Sequence, residues 1–321
     1  MSITRVGFGA WAIGGPDWAV GWGAQDDSAS IRAIRHAVER GVNWIDTAAI
    51  YGLGHSEDVV GRALGEMPEG ERPYVFTKCG QVWDPNDRLS KIRVGTAASI
   101  RQECEDSLRR LRVDVIDLYQ MHWPAEDGTQ VEDYWQTLVE LKAEGKVRAI
   151  GLSNHNADQC ARAEAIGHVD TLQPGLSAIR RGALERDLPW CEAHDTGVIV
   201  YSPMQSGLLS GGFSAARVAG LPADDWRSRH PDFTGEALTR NLIVADAMKP
   251  VAEKHGVSPA AIAIGWALAM PGVTGAIVGA RSPDQVEGWL AAASITLDAD
   301  DMADIAAAIR TSGAGEGPVP A

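Results

Sequence analysis

Four cysteines in 321 residues, none of them in a CxxC pair, leave no thiolate framework for a structural zinc or a redox dithiol. Cys79, Cys104, Cys160 and Cys191 stand far apart and read as reduced thiols of a cytoplasmic protein. The eight histidines include no HxH and no HExxH, so a metal-dependent hydrolase lacks its ligand pattern and no metal is expected. Cationic residues are the minority sign, 29 against 43 acidic ones, for a net charge of −14. Without a basic run, that balance argues against nucleic acid as a partner. No apolar run approaches the ~18 residues of a membrane span. The first nine residues lack the charged and apolar regions of a secretory signal. Gly7, Gly9, Gly14 and Gly15 do not space as GxGxxG, so a doubly wound dinucleotide fold lacks its fingerprint. Phenylalanine and tyrosine are scarce, four and five, whereas tryptophan reaches eleven.

What the chain does have is alternation. Ile3–Gly9 opens as a short apolar strand. Ser28 is placed to cap a helix over Ser28–Arg40, with Ile31, Ile34 and Val38 on one face. Strand Val42–Asp46, helix His55–Leu64 and strand Tyr74–Lys78 follow. Helix Thr96–Leu111 carries Ile100, Cys104, Leu108 and Leu111 at helical spacing. Strand Val115–Met121 leads to helix Val131–Glu144, which Gly145 ends. Then come strand Val147–Leu152, helix Asn156–Ile166, strand Thr171–Gln173, helix Leu184–Asp195 and strand Gly197–Tyr201. An irregular insertion, 202–239, is rich in Gly, Ser and Asp. Helices Arg240–His255 and Pro259–Ala269, strand Gly275–Val278 and helices Pro283–Ala292 and Ala299–Arg310 complete the pattern. About eight alternations with short loops predict a single (β/α)₈ TIM barrel over 1–310. Residues 311–321, poor in large apolar side chains, predict a flexible tail.

Chemistry gathers at strand ends. Asp46 closes one strand, and Tyr51 follows five residues later. Lys78 closes the next, and His122 follows Met121. In a barrel these carboxyl ends converge on one face. A phenol titrates near ~10, and a neighbouring ammonium lowers that value. Such a phenol can protonate an oxyanion as hydride reaches a carbonyl carbon.

A longer set of motifs carries a resemblance. Gly41–Ala48 reads Gly-Val-Asn-Trp-Ile-Asp-Thr-Ala, with Tyr51-Gly52 close behind. Thr77-Lys78, Asp117-Leu118-Tyr119, His122-Trp123, Glu144–Arg148 and Gly151–Asn154 follow. Tyr201-Ser202-Pro203, Gly207-Leu208-Leu209 and Ile277–Arg281 complete the series. Together, in this order, they resemble the aldo-keto reductase superfamily, near the branch that contains the potassium-channel β subunits. The resemblance implies a barrel with its active site at the C-terminal face of the strands. It also implies reversible hydride transfer between a nicotinamide and an aldehyde, ketone or sugar carbonyl. Tyr51 would be the proton donor, Lys78 paired with Asp46 would lower its pKa, and His122 would orient the carbonyl.

Cofactor positions carry over likewise. Ala10 and Trp11 follow the first strand; Ser153, Asn154 and Gln173 match the carboxamide contacts, and Tyr201 the stacking aromatic. Ser202, Pro203, Gly207 and Leu208 belong to the stretch that wraps the pyrophosphate. Gly279, Arg281, Ser282 and Gln285 match a 2′-phosphate site, so NADP(H) is expected over NAD(H). Trp18, Trp22, Trp83 and Trp123 are expected at the substrate pocket. Three features depart from the family pattern. The usual N-terminal β-hairpin is absent, Gly288-Trp289 stand where many relatives have Glu-Asn, and Leu176–Arg181 differs from the common version. Arg180 and Arg181 read as a solvated pair. A cofactor-binding regulatory subunit with little turnover is the alternative reading. Which carbonyl is used, and the oligomeric state, stay open.

Overall fold

The computed structural model describes residues 1–16, 18–221 and 225–320. Its first strands and helices are β1 (Val6–Gly9), α1 (Asp27–Glu39), β2 (Trp44–Asp46), α2 (His55–Gly65) and β3 (Tyr74–Cys79). A hairpin, β4 (Gln81–Asp84) and β5 (Asp87–Arg93), precedes α3 (Ala97–Leu111) and β6 (Ile116–Met121). Next are α4 (Val131–Ala143), β7 (Val147–Ser153), α5 (Ala157–Glu164), β8 (Thr171–Gln173), α6 (Asp187–Ala193) and β9 (Gly197–Val200). The chain ends with α7 (Ala215–Ala219), α8 (Gly235–His255), α9 (Pro259–Leu268), β10 (Val273–Gly279), α10 (Pro283–Leu290) and α11 (Ala299–Ser312). Eight parallel strands close in the order β1-β2-β3-β6-β7-β8-β9-β10, and β10 pairs back onto β1. This is the (β/α)₈ barrel expected from the alternation. No helix among the described residues is long and apolar enough to cross a membrane.

Strand side chains alternate faces, so inward positions recur every second residue. Trp44, Phe76, Leu118, Ala149, Ile199 and Ile277 pack together as the lower layer inside the barrel. Two residues further along the same strands stand Asp46, Lys78, Gln120 and Tyr201. The polar layer therefore sits on top of an apolar one. Trp44 fills the bottom. Its Nε1 donates to the Thr4 carbonyl at 2.8 Å, and Ile3 and Tyr74 pack alongside. A Cβ on Gly7 would lie 2.2 Å from the indole, and one on Gly275 3.1 Å away. Both glycines make room for it.

The structure differs from the sequence expectation in several places. Helix α1 is capped by Asp26, whose carboxylate accepts from the Ser28 and Ala29 amides, so Ser28 lies inside the helix. The β4–β5 hairpin replaces what the pattern showed as loop, because β5 is largely exposed and neither strand carries an apolar alternation. The 202–239 insertion contains α7, three 3₁₀ turns and the start of α8; residues 222–224 lie outside the described residues. Residues 313–320 do not form the expected flexible tail; Ala321 lies outside the described residues. The buried Arg181 guanidinium donates to the carbonyls of Pro318, Gly317, Ala314 and Ala178. The Glu316 amide donates to the Ile179 carbonyl, and the Arg181 amide to that of Glu316. Backbone groups hold this tail, which a composition argument cannot see. Arg181 is thus a structural anchor, and Arg180 lies 5.5 Å from the Tyr201 ring centroid.

Candidate active site

The upper ends of β2, β3, β6, β7, β8 and β9 surround one cleft of about 820 Å³. Asp46, Tyr51 and His122 line it, and Lys78 lies just behind. Lys78 Nζ donates to Asp46 Oδ1 at 2.5 Å and to the Thr47 carbonyl at 2.8 Å. Gln173 Nε2 donates to Asp46 Oδ2 at 2.9 Å. The ammonium lies 5.2 Å from the Tyr51 ring centroid, and the His122 ring meets Tyr51 edge-on at 5.7 Å. So the four residues singled out at strand ends do come together.

Burial governs their charges. It pushes Asp46 up and Lys78 down, and their mutual contact opposes both shifts. Burial lowers His122 well below 6.5, helped by the positive fields of Lys78, Arg93 and Lys91, so the imidazole is neutral at pH 7. Its ring nitrogens have no hydrogen-bond partner among the described residues, which leaves an N–H for a ligand. Burial also raises Tyr51 well above 10, with Asp46 and Tyr201 adding to the effect. The sequence expectation was the opposite, a phenol made acidic by Lys78. The ammonium is already paired with Asp46, whose carboxylate repels a phenolate, so the cation's field is largely cancelled. Tyr51 therefore stands protonated at neutral pH.

The amide shelf is built by β7 and β8. Asn154, at φ +60°, donates from Nδ2 to the His122 carbonyl at 3.0 Å and accepts from the Tyr201 hydroxyl at 2.7 Å. Ser153 Oγ donates to the Gln173 carbonyl at 3.0 Å. Gln173 Oε1 has no protein partner among the described residues and can accept from a ligand amide. Ala10, Trp11, Ser202, Pro203, Gly207, Gly279, Arg281 and Gln285 line the same cleft, as do Trp18, Trp22 and Trp123. Arg281 donates to Gln25 Oε1 at 2.6 Å and to the carbonyls of Trp22 and Ala24. All these partners are neutral, so its charge has no counter-ion among the described residues and suits a phosphate.

Three expected residues fall elsewhere. Leu208 is packed in the core, because a leucine side chain in that 3₁₀ turn gains more by burial. Ser282 is the N-cap position of α10, its carbonyl accepting from the Gln285 amide. Trp83 sits on β4 and packs against the cluster of Trp18, Ala48 and Ile50. Sequence reasoning also missed polar residues. Gln120 is buried beside Gln173, with its Nε2 unpartnered among the described residues. Glu57, on α2, accepts from Thr77 Oγ1 at 2.5 Å and Arg110 Nε at 2.7 Å, bracing β3 from outside. The parity of the strand signals such a need, since Thr77 points opposite to Lys78.

The sequence model of the Aldo/keto reductase family matches residues 5–310. The chain is 34% identical over 306 residues to the aldo-keto reductase YhdN of Bacillus subtilis, covering 95% of this chain and 89% of that protein. It is also 34% identical over 324 residues to the NADH-specific methylglyoxal reductase of Escherichia coli, covering 97% of each. The solved glycerol dehydrogenase of Gluconobacter oxydans superposes with a TM-score of 0.89 at 36% identity, over 99% of this chain and 95% of that one. An aldo-keto reductase from Bacillus halodurans has the same fold at TM-score 0.77 and 24% identity. With a barrel mouth of this composition and a family match over nearly its whole length, the chain belongs to the aldo/keto reductase family, oxidoreductases of carbonyl and alcohol groups.

Proposed function

We propose that the protein is an NADP(H)-dependent aldo-keto reductase that interconverts an aldehyde, ketone or sugar carbonyl with its alcohol, Tyr51 donating the proton. The observation that carries this reading is a protonated phenol and a neutral imidazole at one cleft, over a buried Lys78–Asp46 pair. When bound, the nicotinamide supplies the hydride. Tyr51 gives its hydroxyl proton to the carbonyl oxygen, and a His122 N–H orients and polarises that oxygen. Lys78 and Asp46 hold each other and, through Gln173, the adjoining shelf. Ser153, Asn154 and Gln173 would receive the carboxamide, Tyr201 would stack on the ring, and Ser202, Pro203 and Gly207 would border the pyrophosphate. Gly279, Arg281 and Gln285 would surround the 2′-phosphate. Four free, buried thiols support a cytoplasmic location.

Oxidation of NADPH with a panel of aldehydes and ketones tests the reading. Tight cofactor binding with no turnover of any carbonyl would favour a regulatory subunit instead.

Two further results are expected. Arg281→Ala should raise KM for NADPH about tenfold or more and that for NADH far less, since a charge-assisted bidentate contact is lost only for the phosphate. Equal effects on both cofactors would mean that no 2′-phosphate is read here. The pH profile of kcat/KM for reduction should be flat across the neutral range. Tyr51, pushed above 10, keeps its proton until pH passes that value; His122, pushed below 6.5, is already neutral on the acid side. A descending limb centred near neutrality would show instead a phenol acidified by Lys78.

A further inference from the structure

The β4–β5 hairpin leaves the barrel directly after Lys78 and Cys79. Gln81 and Arg93 pair across it. Lys91 is two residues before Arg93, so all three share one face. That face is turned to the cleft. Gln81 and Lys91 line it beside His122 and Trp123. The Arg93 guanidinium lies 4.4 Å from the Trp123 ring centroid, and Glu126 neutralises it at 2.5 Å. Lys91, by contrast, has no ion pair or hydrogen bond among the described residues. Gln81 is 7% exposed as a residue, and its side-chain amide, without a hydrogen-bond partner among the described residues, opens onto the cleft. In a chain with a net charge of −14, an unpaired cation beside an unpaired amide at the reaction mouth marks a place for a negative group.

We propose that Gln81 and Lys91 form a subsite for an anionic group, so that the preferred substrates are aldehydes or ketones bearing a carboxylate or a phosphate. The proposal rests on the reductase reading above. Gln81 Nε2–H donates to an anionic oxygen, the Lys91 ammonium supplies the opposite charge, and the carbonyl lies at Tyr51 and His122.

The test compares kcat/KM with NADPH for matched pairs: succinic semialdehyde against butanal, and glyceraldehyde 3-phosphate against glyceraldehyde. The first pair reports on carboxylate, the second on phosphate. The anionic member of at least one pair is expected to be favoured about tenfold, equivalent to about 1.4 kcal/mol. The preference should shrink in about 0.5 M NaCl, where charges at an open mouth are screened. Lys91→Glu should reverse the ratio, and Gln81→Leu should lower it. Ratios at or below one in both pairs, or a ratio unchanged by Lys91→Glu, would overturn the subsite. Should no carbonyl oxidise NADPH, the reductase reading falls, and the subsite is judged by binding alone. Succinate and inorganic phosphate are then titrated against tryptophan fluorescence. Quenching lost in Lys91→Glu supports the subsite, and equal titrations of the two proteins overturn it.

Discussion

Tyr51→Phe is expected to lower kcat for carbonyl reduction by about 10³-fold, within the 10²–10⁴ range of general acid catalysis. The substitution removes one hydroxyl and keeps the ring that meets His122 edge-on and packs in the Trp18 cluster. The fold and the cleft should therefore persist. Dissociation constants for NADPH should stay within about twofold, because the shelf formed by Ser153, Asn154 and Gln173 does not depend on that hydroxyl. The raised pKa sharpens the expectation, since a phenol that holds its proton is a competent donor throughout the neutral range. Turnover near wild-type levels would mean that the proton comes from elsewhere, His122 being the remaining candidate.

Trp44→Ala is expected to destabilise the protein by about 3–5 kcal/mol, the usual cost of removing a large aromatic from a core. The indole is fully buried, its ring centroid 5.2 Å from that of Phe76. Its N–H satisfies the Thr4 carbonyl, so the variant loses both packing and a hydrogen bond. Urea unfolding measures the effect; a loss below about 1 kcal/mol would show that the barrel floor closes without it. The match with glycine gives a second readout. Gly7→Ala puts a methyl group into the indole and should be strongly destabilising in the wild type. In a Trp44→Leu background the same change should cost far less, giving a large interaction energy. Strict additivity of the two substitutions would contradict the packing described here.

The barrel itself was legible because each strand and helix states its own period. Helix α3 shows Ile100, Cys104 and Leu111 on its buried face, and the short runs at β2, β3 and β6 end in the residues that reach the cleft. Asp46, Lys78 and His122 could be linked in advance because all lie at carboxyl ends of strands, and a closed parallel sheet brings those ends together. The hairpin was not legible, since an exposed two-stranded ribbon needs no apolar alternation. Nor was the docking of residues 313–320, which depends on backbone carbonyls offered to Arg181 rather than on any side-chain pattern. Trp83 and Leu208 were placed by their neighbours in sequence, while their side chains follow the nearest apolar cluster.

The sequence by itself determined the alternation of elements, the eight-stranded closure and the identities of the acid, amine, phenol and imidazole, because these depend on residue type and local spacing. Only the tertiary structure decided their protonation. Desolvation depends on what surrounds a group from every side, and in this barrel it outweighs the single cation that the linear order placed beside the phenol. The same holds for Gln81 and Lys91: whether a polar side chain finds a partner or is left facing a cleft is settled by packing between segments that the chain order keeps apart.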